Sequence, residues 1–294
     1  MAVSQRTLSM RSMTFSIVAT DGTAAGVAVA SKFLSVGSVV PIAQLSANGS
    51  ESRIVGAVAT QATARWSYRA DVLRLLGEGL DAPAAVDRVT SEDEDREHRQ
   101  LGVVAPDSQA TYTGPSCIAW AGGRSGASGA ARYAIQGNIL VGEHVVADME
   151  RAWLDTAGSP LERRLLAALL AGDAAGGDAR GRQGAALYVV APGEGYDRSG
   201  VRVDLRVDDH PGAADELARL LDLNDLYFGP PEDVQPLTGD LADEVAQRLA
   251  RLGHTGVVAD ALESWAGVEN YEMRLTPDGI DARVLQALRE ATSN

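Results

Sequence analysis

The stretch TFSIVATDGTAAGVAVAS, residues 14–31, constrains the fold more than any other part of the chain. Thr14–Thr20 and Gly26–Ala30 are apolar runs of strand length. Between them, Asp21-Gly22 tolerates the positive φ that a tight hairpin turn requires. The fold therefore opens on an antiparallel hairpin. The residues ahead of it, MAVSQRTLSMRS, show neither apolar periodicity nor turn chemistry. They read as upstream sequence, and residues 1–13 are expected to be disordered or removed.

Further strand signals fall at Ser38–Ile42, Ile54–Thr60, Gln100–Ala105, Ala110–Thr113, Cys117–Ala121 and Ala185–Val190, followed by VRVDLRVDDHP at 201–211. Helical spacing appears at Trp66–Leu80, Ala82–Val89, Gly142–Asp155, Leu161–Ala171 and Ala213–Leu223. GGRSGASGA, residues 122–130, reads as a flexible loop. Strands and helix pairs thus come in segregated runs, which predicts an α+β fold with antiparallel sheets rather than alternating βαβ units. At 229–238 the prolines and acidic residues of FGPPEDVQP mark a linker. Beyond it, helical spacing at Leu241–Leu252, Val257–Ala266 and Asp281–Ala291 predicts a small helical module over 239–294.

Charge and cysteine content narrow the function. A net charge of −14 argues against nucleic acid or an anionic membrane surface as partner. The lone Cys117 excludes an internal disulfide and points to a reducing compartment. With no run long enough to span a membrane and no secretory h-region, the expected location is cytoplasmic. The four histidines, His98, His144, His210 and His254, lack paired ligand spacing, and no metal or cofactor is expected. There is no phosphate loop and no Gly-x-Ser-x-Gly elbow, and a cysteine in an apolar strand is most simply packing.

Among 26 basic residues, Lys32 is the single lysine. It is either a surface survivor of arginine-biased coding or a site that arginine, with its fixed proton and broad fork, cannot serve. The second reading connects it to Thr14. A threonine hydroxyl needs a base, and the free α-amine of the same residue can act as one, since such amines ordinarily titrate at about 7.7–8.0. A neighbouring ammonium would favour the neutral amine. The hairpin returns Ser31-Lys32 alongside Thr14. For this chemistry the peptide bond to Met13 has to be gone, either because translation starts at Met13 and the methionine is removed, the favoured route, or because a propeptide is cleaved.

These residues, with GVAVASKFLSVGSVVP, GAVATQA, EHRQLGVV, TGPSCIAWAG, QGNIL, GDARGRQGAAL and LRVDDHP, resemble the bacterial family known as domain of unknown function 1028. That family looks like a member of the N-terminal nucleophile (Ntn) hydrolase superfamily. The resemblance covers about 13–228 and implies a four-layer αββα sandwich over 14–228 that hydrolyses a small amide or peptide-like bond. It makes Thr14 the nucleophile and Lys32 the group that tunes its amine. Gly137 and Asn138 become candidate oxyanion donors. Gln61, Asp178, Arg180 and Gln183 become candidate pocket residues, against a reading as turn and edge structure. The tail, ALESWAGVENYEMRL and IDARVLQALRE, resembles a peptidoglycan-binding module. The alternative function is a non-catalytic binding protein whose tail holds cell-wall glycan or a partner. A third reading makes the Leu241–Leu252 stripe a homo-oligomer contact.

Overall fold

The computed structural model describes residues 14–46, 52–196, 198–277 and 279–293. The segment 1–13 lies outside the described residues. The chain divides into two compact units, residues 1–219 and 220–294.

The hairpin forms as expected, with β1 (Thr14–Thr20) and β2 (Ala25–Ser31) antiparallel. Asp21 closes the turn: its Oδ1 accepts from the Thr23 N–H at 2.8 Å and the Ala24 N–H at 2.9 Å. There follow α1 (Val36–Val39), β3 (Pro41–Leu45), β4 (Ile54–Ala62), α2 (Ser67–Gly77), α3 (Ala82–Ser91), β5 (Arg99–Val104) and β6 (Gln109–Thr113). Next come β7 (Trp120–Ser128), β8 (Ala131–Leu140), α4 (His144–Asp155), α5 (Leu161–Ala174), β9 (Gly184–Val190), β10 (Val201–Val207) and α6 (Ala213–Phe228). The division between units falls inside α6.

The strands make two antiparallel sheets, one ordered β10-β9-β2-β1-β8-β7 and the other β3-β4-β5-β6. Val18, Val27 and Val29 of the first meet Ala57, Ala59 and Val104 of the second in one apolar cluster. On its other face the four-stranded sheet packs against α2 and α3 through Val58, Leu101 and Val103 with Tyr68, Val72 and Val86. Helix α5 packs on β1 and β2. Strands buried on both faces explain why β1 and β2 read as continuous apolar runs rather than alternating ones.

Three local expectations are corrected; the first is Cys117–Ala121, where Cys117–Ala119 are not strand and the strand begins only at Trp120. Ser38–Ile42 is not a strand: Val36–Val39 is helical, and β3 starts at Pro41. Residues 122–130 are not a loop; they are mostly β7, paired along its length with β8. The glycines that suggested flexibility allow close packing instead. A β-carbon on Gly123 would meet Thr111 Oγ1 at 2.5 Å and the Ile135 carbonyl oxygen at 2.7 Å. As the outermost strand of its sheet, β7 pairs on one side only, so it needs no continuous apolar run.

The second unit contains α7 (Gly239–Arg251), α8 (Val258–Glu269) and α9 (Ala282–Ala291). Its core joins Val245 and Leu249 of α7, Leu262 and Trp265 of α8, and Val284, Leu285 and Leu288 of α9. Leu241 and Leu252 pack against the same core. The stripe that suggested an oligomer contact thus faces the module's own interior. Residues 229–238 also join this unit, since Gln235 exchanges backbone hydrogen bonds with Ile280. Among the described residues, no helix is long and apolar enough to cross a membrane.

Candidate functional site

Thr14 is fully buried at the start of β1, a central strand of the six-stranded sheet. On one side it is paired with Asn138 of β8. On the other, the Phe15–Ala30 pairing brings Ser31 opposite it, and the Thr14 hydroxyl donates to Ser31 Oγ at 3.3 Å. Lys32 lies one residue beyond β2. Its exposed ammonium donates to the Arg182 carbonyl at 3.2 Å. Strand alternation turns Thr14, Ser16 and Val18 toward the second sheet, while Phe15 lies beside Gly172 and Gly177.

Between the sheets, around Thr14, lies a web of neutral polar side chains. Ser16 Oγ donates to Gln61 Oε1 at 2.6 Å and accepts from Gln136 Nε2 at 2.6 Å. Gln61 Nε2 donates to Gln100 Oε1 at 2.8 Å and to the Thr14 carbonyl at 3.3 Å. Asn138 Nδ2 reaches the same two acceptors at 3.0 and 3.4 Å. Gln100 Nε2 donates to the Gly137 carbonyl at 2.7 Å and to Thr113 Oγ1 at 2.9 Å. The Gln136 Oε1 atom has no hydrogen-bond partner among the described residues and presses against Gly102, where a β-carbon would overlap the carboxamide. The candidates Gln61, Gly137 and Asn138 are therefore brought together at Thr14. Ser31, which the hairpin was expected to bring alongside Thr14, joins them; Ser16, Gln100 and Gln136 complete the cluster and were not singled out from the sequence. Their signal was present, however. Each is a neutral polar residue next to an apolar one in a strand segment, and such a residue must find a partner when buried.

A cavity of about 350 Å³ opens beside Ser31 and is also lined by Phe15, Asp173, Asp178, Arg182 and Ala213. Asp178 is 5% exposed and fastens the mouth of this cavity. Its Oδ2 accepts from the Lys32 backbone N–H at 2.6 Å and from Arg180 Nη2 at 3.1 Å; its Oδ1 accepts from the Arg180 N–H at 2.9 Å. Of the candidate pocket residues, Asp178 lines this cavity. Arg180 is folded back onto it, and Gln183 donates to Asp209 at 3.0 Å.

A second polar cluster fixes the ends of β4 and β5. The Arg99 side chain donates to Asp93 Oδ2 at 2.8 Å and to the Thr63 carbonyl at 2.7 Å, and the Tyr68 hydroxyl donates to Asp93 at 2.7 Å. Burial alone would raise the Asp93 carboxyl, but the hydrogen bonds from Arg99 and Tyr68 outweigh it and hold the group well below the usual range. Cys117 is half-buried, and burial pushes its thiol up, away from the reactive thiolate. Among the described residues, no group of three or more His, Cys, Asp or Glu could hold a metal ion.

This is a mixed α/β protein with two antiparallel sheets, a polar cluster between them and a helical region at its C-terminus. Over residues 14–217 it matches the family described as "Family of unknown function (DUF1028)", and the chain belongs to that family. Residues 227–288 match the family described as "Putative peptidoglycan binding domain". Among solved structures, it is similar to the crystal structure of protein SPO2555 from Silicibacter pomeroyi, a protein of the same DUF1028 family. The two are 30% identical, with 79% of this chain and 93% of that one covered, and the TM-score is 0.58. No curated protein matches the chain.

Proposed function

We propose that the protein is an N-terminal-threonine hydrolase with a four-layer αββα arrangement, acting on a small amide or peptide-like substrate once the α-amine of Thr14 is free. One observation carries this reading. The Thr14 hydroxyl is hydrogen-bonded to Ser31, and Ser31 lines a cavity of about 350 Å³. In the reaction the amine takes the hydroxyl proton as Oγ1 attacks the substrate carbonyl carbon. The tetrahedral intermediate then collapses, the C–N bond breaks, and the ammonium returns its proton to the leaving nitrogen. Water hydrolyses the resulting ester and regenerates Thr14.

Within this scheme Ser31 orients Oγ1, while Gln61 and Asn138 hold the Thr14 carbonyl and so fix the end of the strand. Lys32 favours the neutral amine in this reading only once its ammonium leaves the Arg182 carbonyl that holds it outward. Asp178 ties the Lys32 backbone to the cavity mouth. A cytoplasmic location goes with this reading.

The test compares a chain that begins at Thr14 with the full chain and with a chain whose Thr14 is replaced by Ala. Hydrolysis of a small-amide panel is expected only from the first, with Thr14→Ala lowering turnover by roughly a thousandfold or more while circular dichroism is unchanged. Unchanged turnover in Thr14→Ala removes Thr14 from the mechanism.

The family match over 227–288 supports a second reading, in which the C-terminal unit binds cell-wall glycan. A cavity of about 530 Å³, lined by Leu262, Glu263, Leu275 and Pro277 among others, is the natural seat in that unit. Sedimentation of the full chain with purified peptidoglycan checks it, and a chain left wholly in the supernatant sinks it.

A further inference from the structure

A different cavity, of about 260 Å³, opens beside β3, β9 and β10 and takes no part in the chemistry above. Arg69, Arg206, Tyr188, Asp204, Ile42 and Ala186 are on its walls. Arg69 is the unusual member. Its Nη1 donates to the backbone carbonyls of Ser38 at 3.1 Å and Pro41 at 3.2 Å, and its guanidinium lies 4.3 Å from the centre of the Trp66 ring. These contacts fix the fork but provide no negative charge. No carboxylate pairs with Arg69 among the described residues, and its Nε is buried without an acceptor.

The nearest charged company makes matters worse. Burial first, and then the positive charge of Arg206, push the Arg69 guanidinium below its ordinary pKa. Arg206 itself is half-neutralised: Asp204 accepts from its Nε at 3.0 Å and its Nη2 at 3.1 Å, which leaves Nη1 without a bonded partner among the described residues. The Tyr188 hydroxyl on the same wall has no hydrogen-bond partner among the described residues. Two guanidinium groups and one carboxylate leave the cavity with a surplus positive charge. This sits in a protein whose net charge is −14, so bulk electrostatics do not draw anions to it. An anion bound here would be held by local geometry.

We propose that this cavity binds the oxyanion group of a small molecule, a carboxylate or a phosphate. Arg69 and Arg206 supply the charge-assisted hydrogen bonds and Tyr188 a neutral one. Guanidinium groups match such groups in shape and charge, and a partly dry cavity strengthens the attraction. The apolar walls at Ile42 and Ala186 leave room for a short hydrocarbon body beside the anionic group.

The experiment is a titration of the full chain with inorganic phosphate and, separately, with butyrate, at constant ionic strength, read by calorimetry and by thermal melting. A saturable response with one site per chain is expected from at least one of the two. Tighter binding of butyrate identifies a carboxylate with an apolar body, and tighter binding of phosphate identifies a phosphate group. Arg206→Gln should weaken the response about tenfold or more, and Tyr188→Phe severalfold. Arg69→Gln also removes the bonds to Ser38 and Pro41, so Arg206→Gln is the deciding variant. No saturable response to either anion, or the same affinity in Arg206→Gln, overturns the proposal.

Discussion

Each unit of the molecule has a buried polar anchor, and the two are built from opposite chemistry. Around Thr14 the anchor is neutral: hydroxyls and carboxamides of Ser16, Gln61, Gln100, Gln136 and Asn138 bond one another between two sheets. In the C-terminal unit it is an ion pair, with Arg274 Nη1 2.9 Å from Asp281 Oδ2 and both side chains 0% exposed. Arg274 also donates to the carbonyls of Asp225 at 2.6 Å and Leu226 at 2.7 Å, and Asp281 caps α9 by accepting from the Val284 N–H at 3.0 Å. A neutral web fails in increments, because each orphaned group costs about 1–3 kcal/mol. A buried ion pair fails all at once, since removing one partner leaves a bare charge. The neutral web also places no formal charge beside the residue proposed to act through an amine.

The comparison is broken most forcefully at Asp281. Asp281→Ala strands the Arg274 charge and uncaps α9, and should destabilise the C-terminal unit by about 3–5 kcal/mol. Hydrogen exchange on the full chain would show faster exchange across α9 and the segment 225–232, with β1 and β8 unchanged. The same pair responds to acid. Burial raises the Asp281 carboxyl, but the N–H groups of Glu232 and Val284 and the charge of Arg274 outweigh it and set it below the ordinary range. A lowered carboxyl contributes stability that is complete above the unfolded value of about 3.9 and is lost as pH falls through the folded one. Protection of α9 should therefore fall in acid below about pH 4.

The neutral anchor is probed by Gln100→Leu, which removes the acceptor shared by Gln61 and Asn138 and the side-chain donor to the Gly137 carbonyl. A loss of about 2–3 kcal/mol is expected, confined to the N-terminal unit and unchanged between pH 5 and pH 8 in chemical denaturation. A pH slope introduced or removed by this substitution would mean that the web is not neutral. The smallest effect is expected at Glu244, on the surface of α7. Hydrogen bonds from Arg289 and Arg248 hold its carboxyl down at about 2. Because the group is solvated, Glu244→Gln should leave the melting temperature unchanged at neutral pH and in physiological salt.

How much of this was legible in the sequence follows from what each signal depends on. The β1–β2 hairpin was legible because Asp21-Gly22 and the flanking apolar runs are local. The heptad-like spacing of Leu241, Val245, Leu249 and Leu252 likewise gave α7, though not what its stripe packs against. The pairing of β7 with β8 was missed. Glycine and serine carry no apolar signal, and an edge strand borrows its order from the neighbour it pairs with. At the site, the motifs named Gln61, Gly137 and Asn138, whereas Gln136 of QGNIL and Gln100 of EHRQLGVV carried no signal of the site, because a lone glutamine has no partner in sequence.

The sequence by itself determined the opening hairpin, most of the helices and the family to which the chain belongs, because turn chemistry, apolar periodicity and ordered motifs act over a few residues at a time. Only the tertiary structure decided that Ser31 faces the Thr14 hydroxyl while Lys32 turns outward. It also decided that the carboxamides of Gln61 on β4 and Asn138 on β8 converge on the Thr14 carbonyl and on Gln100 of β5. Those contacts join residues separated by 17 to 150 positions: the bonds to Ser31 and Asn138 need neighbouring strands to pair, and the bonds to Gln61 and Gln100 need the two sheets to stack.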